Sequence, residues 1–325
     1  MEELSVDVEL LEEFERGLDP RYPERSRIPA RVLGYGEIST VFEIRAEGME
    51  GYAFKRLPIF RDRAEIEPYL ASYREYNRVL AEEVGLSLPA YGHAEFVSAS
   101  GRPVFYIIQE QLPAHSIGNA AIHHLPDAEV PALVRMVLRE AKKVWDFNRR
   151  REGLEVAIDG QISNWSIVGF EPGAPRVDEN MRLLYMDTST PLFRVEGKEQ
   201  LDPELFLRSA PSFLVWMIRL FFLEDVMTRY YDFRQVAIDL IANFYKEQRA
   251  ELIPALVEAA NAFFAEEAPH LGIEPIRRKD VDSYYREDRL IWSLYLALRR
   301  FDRFLRTRLL RRDYPYILPG KITRK

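Results

Sequence analysis

Residues 157–169 read AIDGQISNWSIVG. Asp159 and Asn164 stand five positions apart beside Gly160 and Ser163, and an apolar run from Trp165 to Val168 follows at once. Small and polar turn residues make the first half a loop, and β-branched and aromatic residues make the second half a strand. Taken alone, Asp159 is a turn aspartate and Asn164 a cap at the strand's head, both common uses of those side chains. A second strand, LLYMD (183–187), comes after the Pro/Gly turn EPGAP (171–175). The loop therefore opens onto a hairpin whose far end carries Asp187.

Upstream, RVLGYGEISTV (31–41) alternates two glycines inside a strand pattern, and GYAFKRL (51–57) raises Lys55 from the next strand. Glycine weakens a strand by roughly 0.5–1 kcal/mol relative to alanine, so the pair implies close approach to the backbone, with phosphate the obvious candidate. A helix is expected from about Arg63 to Val84, ended by Gly85. Strands follow at YGHAEF (91–96) and PVFYIIQEQL (103–112), joined by SASGRP (98–103). Up to Leu112 this describes a small, mostly antiparallel sheet with one helix.

Beyond LPAHSIGN (112–119) the period becomes helical. Leu133, Val134, Val137, Leu138, Ala141, Val144 and Trp145 mark one face of a helix from Pro131 to Arg150. Past Pro211 almost everything reads as helix. FLVWMIRLFFL, from Phe213, carries Arg219 and is too short to cross a bilayer, so it is expected as a buried helix. At the other end, Val8, Leu11 and Phe14 give a short helix near residues 6–16 before DPRYPERSRIP breaks the pattern. The expected organisation is an N-terminal helical extension (1–30), a sheet lobe (31–112) and a helical lobe (113–325), with a cleft at the junction near Gln109–Pro113.

Composition narrows the function. The 325 residues are 47% hydrophobic and 30% charged, as in an ordinary globular protein. A net charge of −7 argues against general binding to nucleic acid or anionic membranes. With no cysteine, disulfides, thiolate catalysis and cysteine–zinc sites are excluded. The acidic start MEELSVDVELLEEFERGL has no cationic and apolar leader pattern, and a cytoplasmic protein is expected.

The ordered set Gly34-x-Gly36-x-x-Ser39-x-Val41, Lys55, Asp159-x-x-x-x-Asn164 and Asp187 resembles the protein-kinase-like superfamily. The resemblance spans roughly residues 31–191 and implies a bilobal α+β fold. It further implies that the glycine loop, Ser39 and Val41 lie over the ATP phosphates and that Lys55 holds them. Glu75 would brace Lys55 from the helix, Asp159 would orient an acceptor hydroxyl, and Asn164 and Asp187 would bind Mg²⁺. The backbone near Glu110 and Leu112 would meet the adenine edge. Departures are Ser39 in place of a third glycine, Ala157 where histidine is usual, and Thr188-Ser189 after Asp187 instead of a Phe-Gly pair. With the wide hairpin and the absence of an Ala-Pro-Glu signature, these look more like the aminoglycoside phosphotransferase and choline kinase group. The resemblance thus implies ATP and a small-molecule acceptor as partners.

Three readings of that site stay open: phosphoryl transfer to a small-molecule hydroxyl, nucleotide binding without turnover, and nucleotidyl transfer. Glu75 also reads as a solvated helix residue. The adjacent His123 and His124 diverge by about 100° on a helix, which disfavours a shared metal. Arg299, Arg300, Arg303, Arg306, Arg308, Arg311 and Arg312 crowd a segment that also carries Leu298, Phe301, Leu305 and Leu309. That segment reads first as an amphipathic closing helix with a solvated basic face. An anionic-substrate wall, an RNA contact and a membrane-surface contact are the other readings.

Overall fold

Alternation of side chains builds the first lobe. Strands β1 (Ala30–Tyr35), β2 (Thr40–Ile44), β3 (Tyr52–Leu57), β4 (Tyr91–Val97) and β5 (Pro103–Glu110) form one antiparallel sheet in the order β1-β2-β3-β5-β4. The structure is a computed structural model that describes residues 3–20, 22–36, 38–98, 101–178, 180–202, 204–207, 228–309, 314 and 316–319. Successive residues of a strand face opposite sides. Phe42, Phe54, Tyr106 and Ile108 therefore form one apolar face, and Leu57, Phe105 and Ile107 belong to the other. Lys55 pairs in register with Val41 and Ile107, so it shares that second face.

Each face has its own helix. Helix α1 (Val8–Gly17), capped by Asp7, buries Leu11 and Phe14 against the first face. It is pinned there by Glu15, which accepts from Arg56 at 2.6 Å and from the Tyr106 hydroxyl at 2.5 Å. Ahead of α1, Leu4 bridges to Gly92 on the edge strand, and a Cβ on Gly92 would meet the Leu4 carbonyl at 1.9 Å. The expected N-terminal extension is thus packed into the sheet lobe's core. Helix α2 (Ile66–Arg78) covers the second face with Tyr69 and Tyr73, runs on as a π-type turn to Val84, and stops at Gly85 with φ +82°.

The remainder is mainly helical, as expected. Helices α3 (Gly118–Ala121) and α4 (Val130–Asn148) lead to strand β6 (Leu154–Val156), the loop at 157–164 and the hairpin β7 (Trp165–Ile167)–β8 (Leu183–Tyr185). Strands β9 (Phe193–Val195) and β10 (Lys198–Glu199) complete a three-stranded sheet in the order β10-β9-β6. Helices α5 (Glu204–Leu207), α6 (Phe233–Lys246), α7 (Ile253–Glu267) and α8 (Arg278–Phe304) follow. The predicted face of α4 is buried, and Trp145 stacks on Phe233 with ring centroids 4.2 Å apart.

Two expectations fare differently. The apolar stretch from Phe213, with Arg219, lies outside the described residues, as do Arg311 and Arg312. Among the described residues no helix is long and apolar enough to cross a membrane. The basic helix α8 departs from the expected solvated face at one arginine and one phenylalanine. Arg299 is buried beneath Tyr295 and Tyr316, whereas Phe301 is exposed, and Leu309 just beyond the helix is exposed too. A tyrosine-lined slot accepts the flat guanidinium through cation–π contact, and this turns the apolar stripe outward.

Candidate active site

Lys55 and Asp187, 132 residues apart in sequence, meet in the cleft with Nζ 2.7 Å from Oδ1. Local structure brings each there. Lys55 projects from β3 between Val41 and Ile107 of the neighbouring strands. Asp187 comes two residues after β8, where Met186 N–H donates to Asn164 O at 2.8 Å and Gln109 Nε2 donates to Met186 O at 2.9 Å. The second bond ties the last strand of the sheet lobe to the residue before Asp187. Ser189 Oγ also donates to Oδ1, at 2.9 Å. Burial pushes the Asp187 carboxyl up, but the Lys55 charge outweighs it and holds the group below its ordinary value.

The loop that carries Asp159 is held by its own backbone. Asn164 Nδ2 donates to Asp159 O at 3.1 Å, Gln161 N–H donates to Asp159 Oδ1 at 3.1 Å, and Asp159 N–H donates to the Tyr185 hydroxyl at 3.2 Å. Two glycines allow tight packing around it. A Cβ on Gly160 would come within 2.5 Å of Val236 on α6, and one on Gly118 within 2.3 Å of the Ile162 carbonyl. Asn164, with its amide N–H committed to the loop, keeps its carbonyl oxygen for another use.

Asp159 is crowded by acids. Burial, then the Asp239 and Asp187 carboxylates, push its carboxyl well above the ordinary range, against the Gln161 amide and the Lys246 charge. Asp239, on α6, sits behind the loop and accepts from Gln161 Nε2 at 3.1 Å and from Asn243 Nδ2 at 3.2 Å. Its own carboxyl is raised by burial against the lowering pull of Lys246, which in turn pairs with Asp288 of α8 at 3.1 Å. This second acidic group did not emerge from motif reading. The available signal was VAIDLIANF (236–244), in which Asp239 and Asn243 interrupt an apolar run one helical turn apart.

The glycine loop takes the expected position at the β1–β2 turn. Gly36 N–H donates to Ser39 O at 3.0 Å, and a Cβ on Gly36 would lie 2.6 Å from Ser39 Oγ. Ser39 therefore occupies the space that Gly36 vacates. Nothing within 4 Å of Gly34 demands a glycine, but the residue sits at a register shift in the β1–β2 ladder, where a strand commonly carries one. At the lobe junction, Glu110 N–H is already taken by Ala90 O at 2.9 Å and Gln111 N–H by Gly51 O at 2.8 Å. Leu112 beside them is half-buried.

Glu75 does not brace Lys55. It lies on the outer side of α2 and accepts from Arg78 Nε and Nη2 at 2.9 and 2.7 Å. The register of α2 explains the correction. Tyr69, Tyr73 and Tyr76 repeat at four and three residues and claim the inner face, and Glu75 lies about 200° round from Tyr73. Those tyrosines organise the site instead. Tyr69 donates to Ser189 O at 2.7 Å and Tyr76 to Ala157 O at 2.6 Å, at the position where histidine is usual in the resembling families. The buried Tyr73 and Thr188 hydroxyls face each other beside Asp187.

From sheet lobe to helical lobe, the glycine turn, lysine strand, junction, Asp/Asn loop, hairpin and aspartate follow one another along the chain in the order that the resemblance implies, and Lys55 meets Asp187 in the cleft between the lobes. A family model described as "Family of unknown function (DUF6206)" matches residues 23–303. The chain belongs to DUF6206. The match takes in every residue of this cleft. No curated protein matches the DUF6206 chain in sequence. Among solved structures, one titled WaaP in complex with acyl carrier protein is 16% identical, with a TM-score of 0.31, over 70% of this chain and 89% of that one. Another, a Stt7 homolog from Micromonas algae soaked with ATP, is 16% identical, with a TM-score of 0.39, over 79% and 82%. At that identity neither likeness says what DUF6206 acts on.

Proposed function

We propose that this protein is a Mg²⁺-ATP-dependent phosphotransferase acting on a hydroxyl of a small molecule. The observation that carries the reading is the meeting of Lys55 and Asp187 at 2.7 Å in the cleft, beside the loop that holds Asp159 and Asn164. An ammonium, two carboxylates and an amide oxygen in one crevice form the donor set that phosphoryl transfer needs, because its catalysis is mostly positioning and charge neutralisation.

The residues present fit a magnesium ion. Mg²⁺ takes one or two carboxylates plus phosphate oxygens and water, so it needs no larger acidic cage. Both side-chain hydrogen bonds to Asp187 land on Oδ1, and the Asp187 carboxylate with the side-chain carbonyl oxygen of Asn164 as neutral second ligand would hold the cation. When bound, the ion supplies charge neutralisation at the phosphates. Lys55 would hold phosphate oxygens from β3, where Val41 lies beside it in register, and Gly34, Gly36 and Ser39 would line the phosphates. Asp159 orients the acceptor hydroxyl and receives its proton.

One observation favours the second reading, nucleotide binding without turnover. Among the described residues Asp187 is the one carboxylate in ion-pair distance of Lys55, so a nucleotide has to draw the ammonium away from it. A single experiment addresses both readings. The purified protein is incubated with γ-labelled or α-labelled ATP, Mg²⁺ and a pooled small-molecule extract, with Asp159→Asn as control. Label passing from the γ position alone, and lost in Asp159→Asn, is the expected result. Transfer from the α position points to nucleotidyl transfer, and no transfer despite a Mg²⁺-ATP thermal shift points to binding alone. No shift, or an equal shift in Lys55→Ala, overturns the site assignment.

A further inference from the structure

Helix α8 carries an apolar stripe on its outside. Leu290, Leu294, Phe301 and Phe304 are 70, 51, 51 and 53% exposed, and Ala297 between them is exposed as well. Their spacing of four, three, four and three residues keeps them within about 80° of one another on the helix surface, over about 21 Å of its length. A helix that packed this side inward would bury them; here the inward side is taken by Leu296 and Arg299.

Past Glu287, which lies one turn before Leu290 and pairs with Arg229 at 3.3 Å, the charge around the stripe has one sign. Residues 289–309 contain six arginines and one acid, Asp302. That acid is buried and paired with Arg306 at 3.0 Å. Arg289, Arg300 and Arg308 are exposed on the same surface, which thus offers cations and apolar side chains with no exposed carboxylate among residues 289–309. This stands against the chain's overall net charge of −7.

We infer that the outer face of α8 seats the protein on an anionic lipid surface. Leucine and phenylalanine side chains enter the headgroup–acyl boundary while the flanking arginines meet lipid phosphates, the arrangement by which an amphipathic helix lies in the plane of a membrane. A second copy of the chain fits less well. Joining two such stripes would bring arginines against arginines with no exposed acid between 289 and 309 to pair them. The length of α8 and its polar first half exclude a spanning role, in agreement with the absence of any membrane-spanning helix among the described residues.

Flotation of the full chain with phosphatidylcholine vesicles, and with phosphatidylcholine–phosphatidylglycerol vesicles, tests this directly. The expected result is binding to the anionic vesicles that weakens as salt rises, with at least tenfold less binding to neutral ones. Leu290→Ser with Phe304→Ser, and separately Arg289→Glu with Arg308→Glu, should each lower binding about tenfold or more while leaving the melting temperature near that of the wild type. The lipid and salt arms need no variant, so they decide even if a variant fails to fold. Equal binding to both vesicles, binding to neither, or a solution dimer dissolved by Leu290→Ser with Phe304→Ser in the absence of vesicle binding would each overturn the inference. Binding to an acidic polypeptide with none to vesicles would do the same.

Discussion

If Lys55 and Asp187 hold one another in the cleft, their energies must be coupled, and a double-mutant cycle measures that coupling. The perturbations are Lys55→Met and Asp187→Asn, singly and together, in the nucleotide-free protein with chelator. The separation is 2.7 Å, and the two side chains keep 17 and 30% of their surface exposed. Breaking a fully buried pair costs about 3–5 kcal/mol, and an exposed pair contributes about 0–1 kcal/mol. A partly buried pair should fall between, so Lys55→Met is expected to destabilise by about 2 kcal/mol by leaving Asp187 with a poorly compensated charge. For a chain of this length that is a fall of about 3 °C in melting temperature. Asp187→Asn removes the same attraction but keeps Ser189 as a donor, so its loss should be smaller. The double variant should lie about 1–2 kcal/mol above the sum of the singles. Calorimetry or urea melts read this out. Additivity within about 0.3 kcal/mol would refute the pairing and, with it, the geometry on which the proposed function rests.

Other consequences are as open to measurement. Glu75→Ala should leave both stability and the Mg²⁺-ATP thermal shift within about 0.5 kcal/mol of wild type, because it removes only a surface pair with Arg78; loss of the nucleotide shift would show that α2 turns Glu75 inward. Gly36→Ala should weaken nucleotide binding and destabilise the β1–β2 turn by about 1–3 kcal/mol, with partial rescue by Ser39→Ala, which removes the oxygen 2.6 Å from the added Cβ; no rescue in binding or urea melts would refute that steric account. Glu15→Gln should destabilise by about 3–5 kcal/mol at neutral pH, since it removes the charge opposite the buried Arg56 guanidinium. The sign with pH follows from Glu15: burial pushes its carboxyl up, but Arg56 and Tyr106 bring it below the usual 4.5. Its contribution is therefore full above the unfolded pKa and fades as pH falls through the lower folded value, so wild type and variant should converge in acid melts.

What the chain discloses in advance is uneven, for physical reasons. The strands of the sheet lobe and the α4 face announce themselves because a half-buried element must repeat its apolar residues at its own period. Lys55, Asp159, Asn164 and Asp187 are legible because each follows a turn or strand signal that fixes its place. Strands β6, β9 and β10, of two or three residues, are too short to display any period. Glu75 misleads for a related reason. Spacing along the chain places it mid-helix, but only the apolar pattern says which side of the helix faces in, and Tyr69, Tyr73 and Tyr76 already occupy that side. Arg299 departs from the reading of α8 in the same way, because three aromatic residues bury a charge that composition alone would leave in solvent.

The tyrosine face of α2 has a further consequence for Lys55. Bringing Glu75 to the lysine would require turning α2 by nearly half a revolution. That motion would break the Tyr69–Ser189 and Tyr76–Ala157 hydrogen bonds, each worth about 1 kcal/mol net, and expose three buried aromatic rings worth about 2 kcal/mol apiece. A total near 8 kcal/mol is comparable with the stability of a whole domain, so α2 is held in its present register. The lysine is therefore positioned by its strand neighbours and by Asp187, not by a helix that could swing in and out. Control that works by moving such a helix has no purchase here. Any switch at this site must act on Asp187 itself, through the segment from Met186 to Ser189 that Gln109, Tyr69 and Asn164 hold in place.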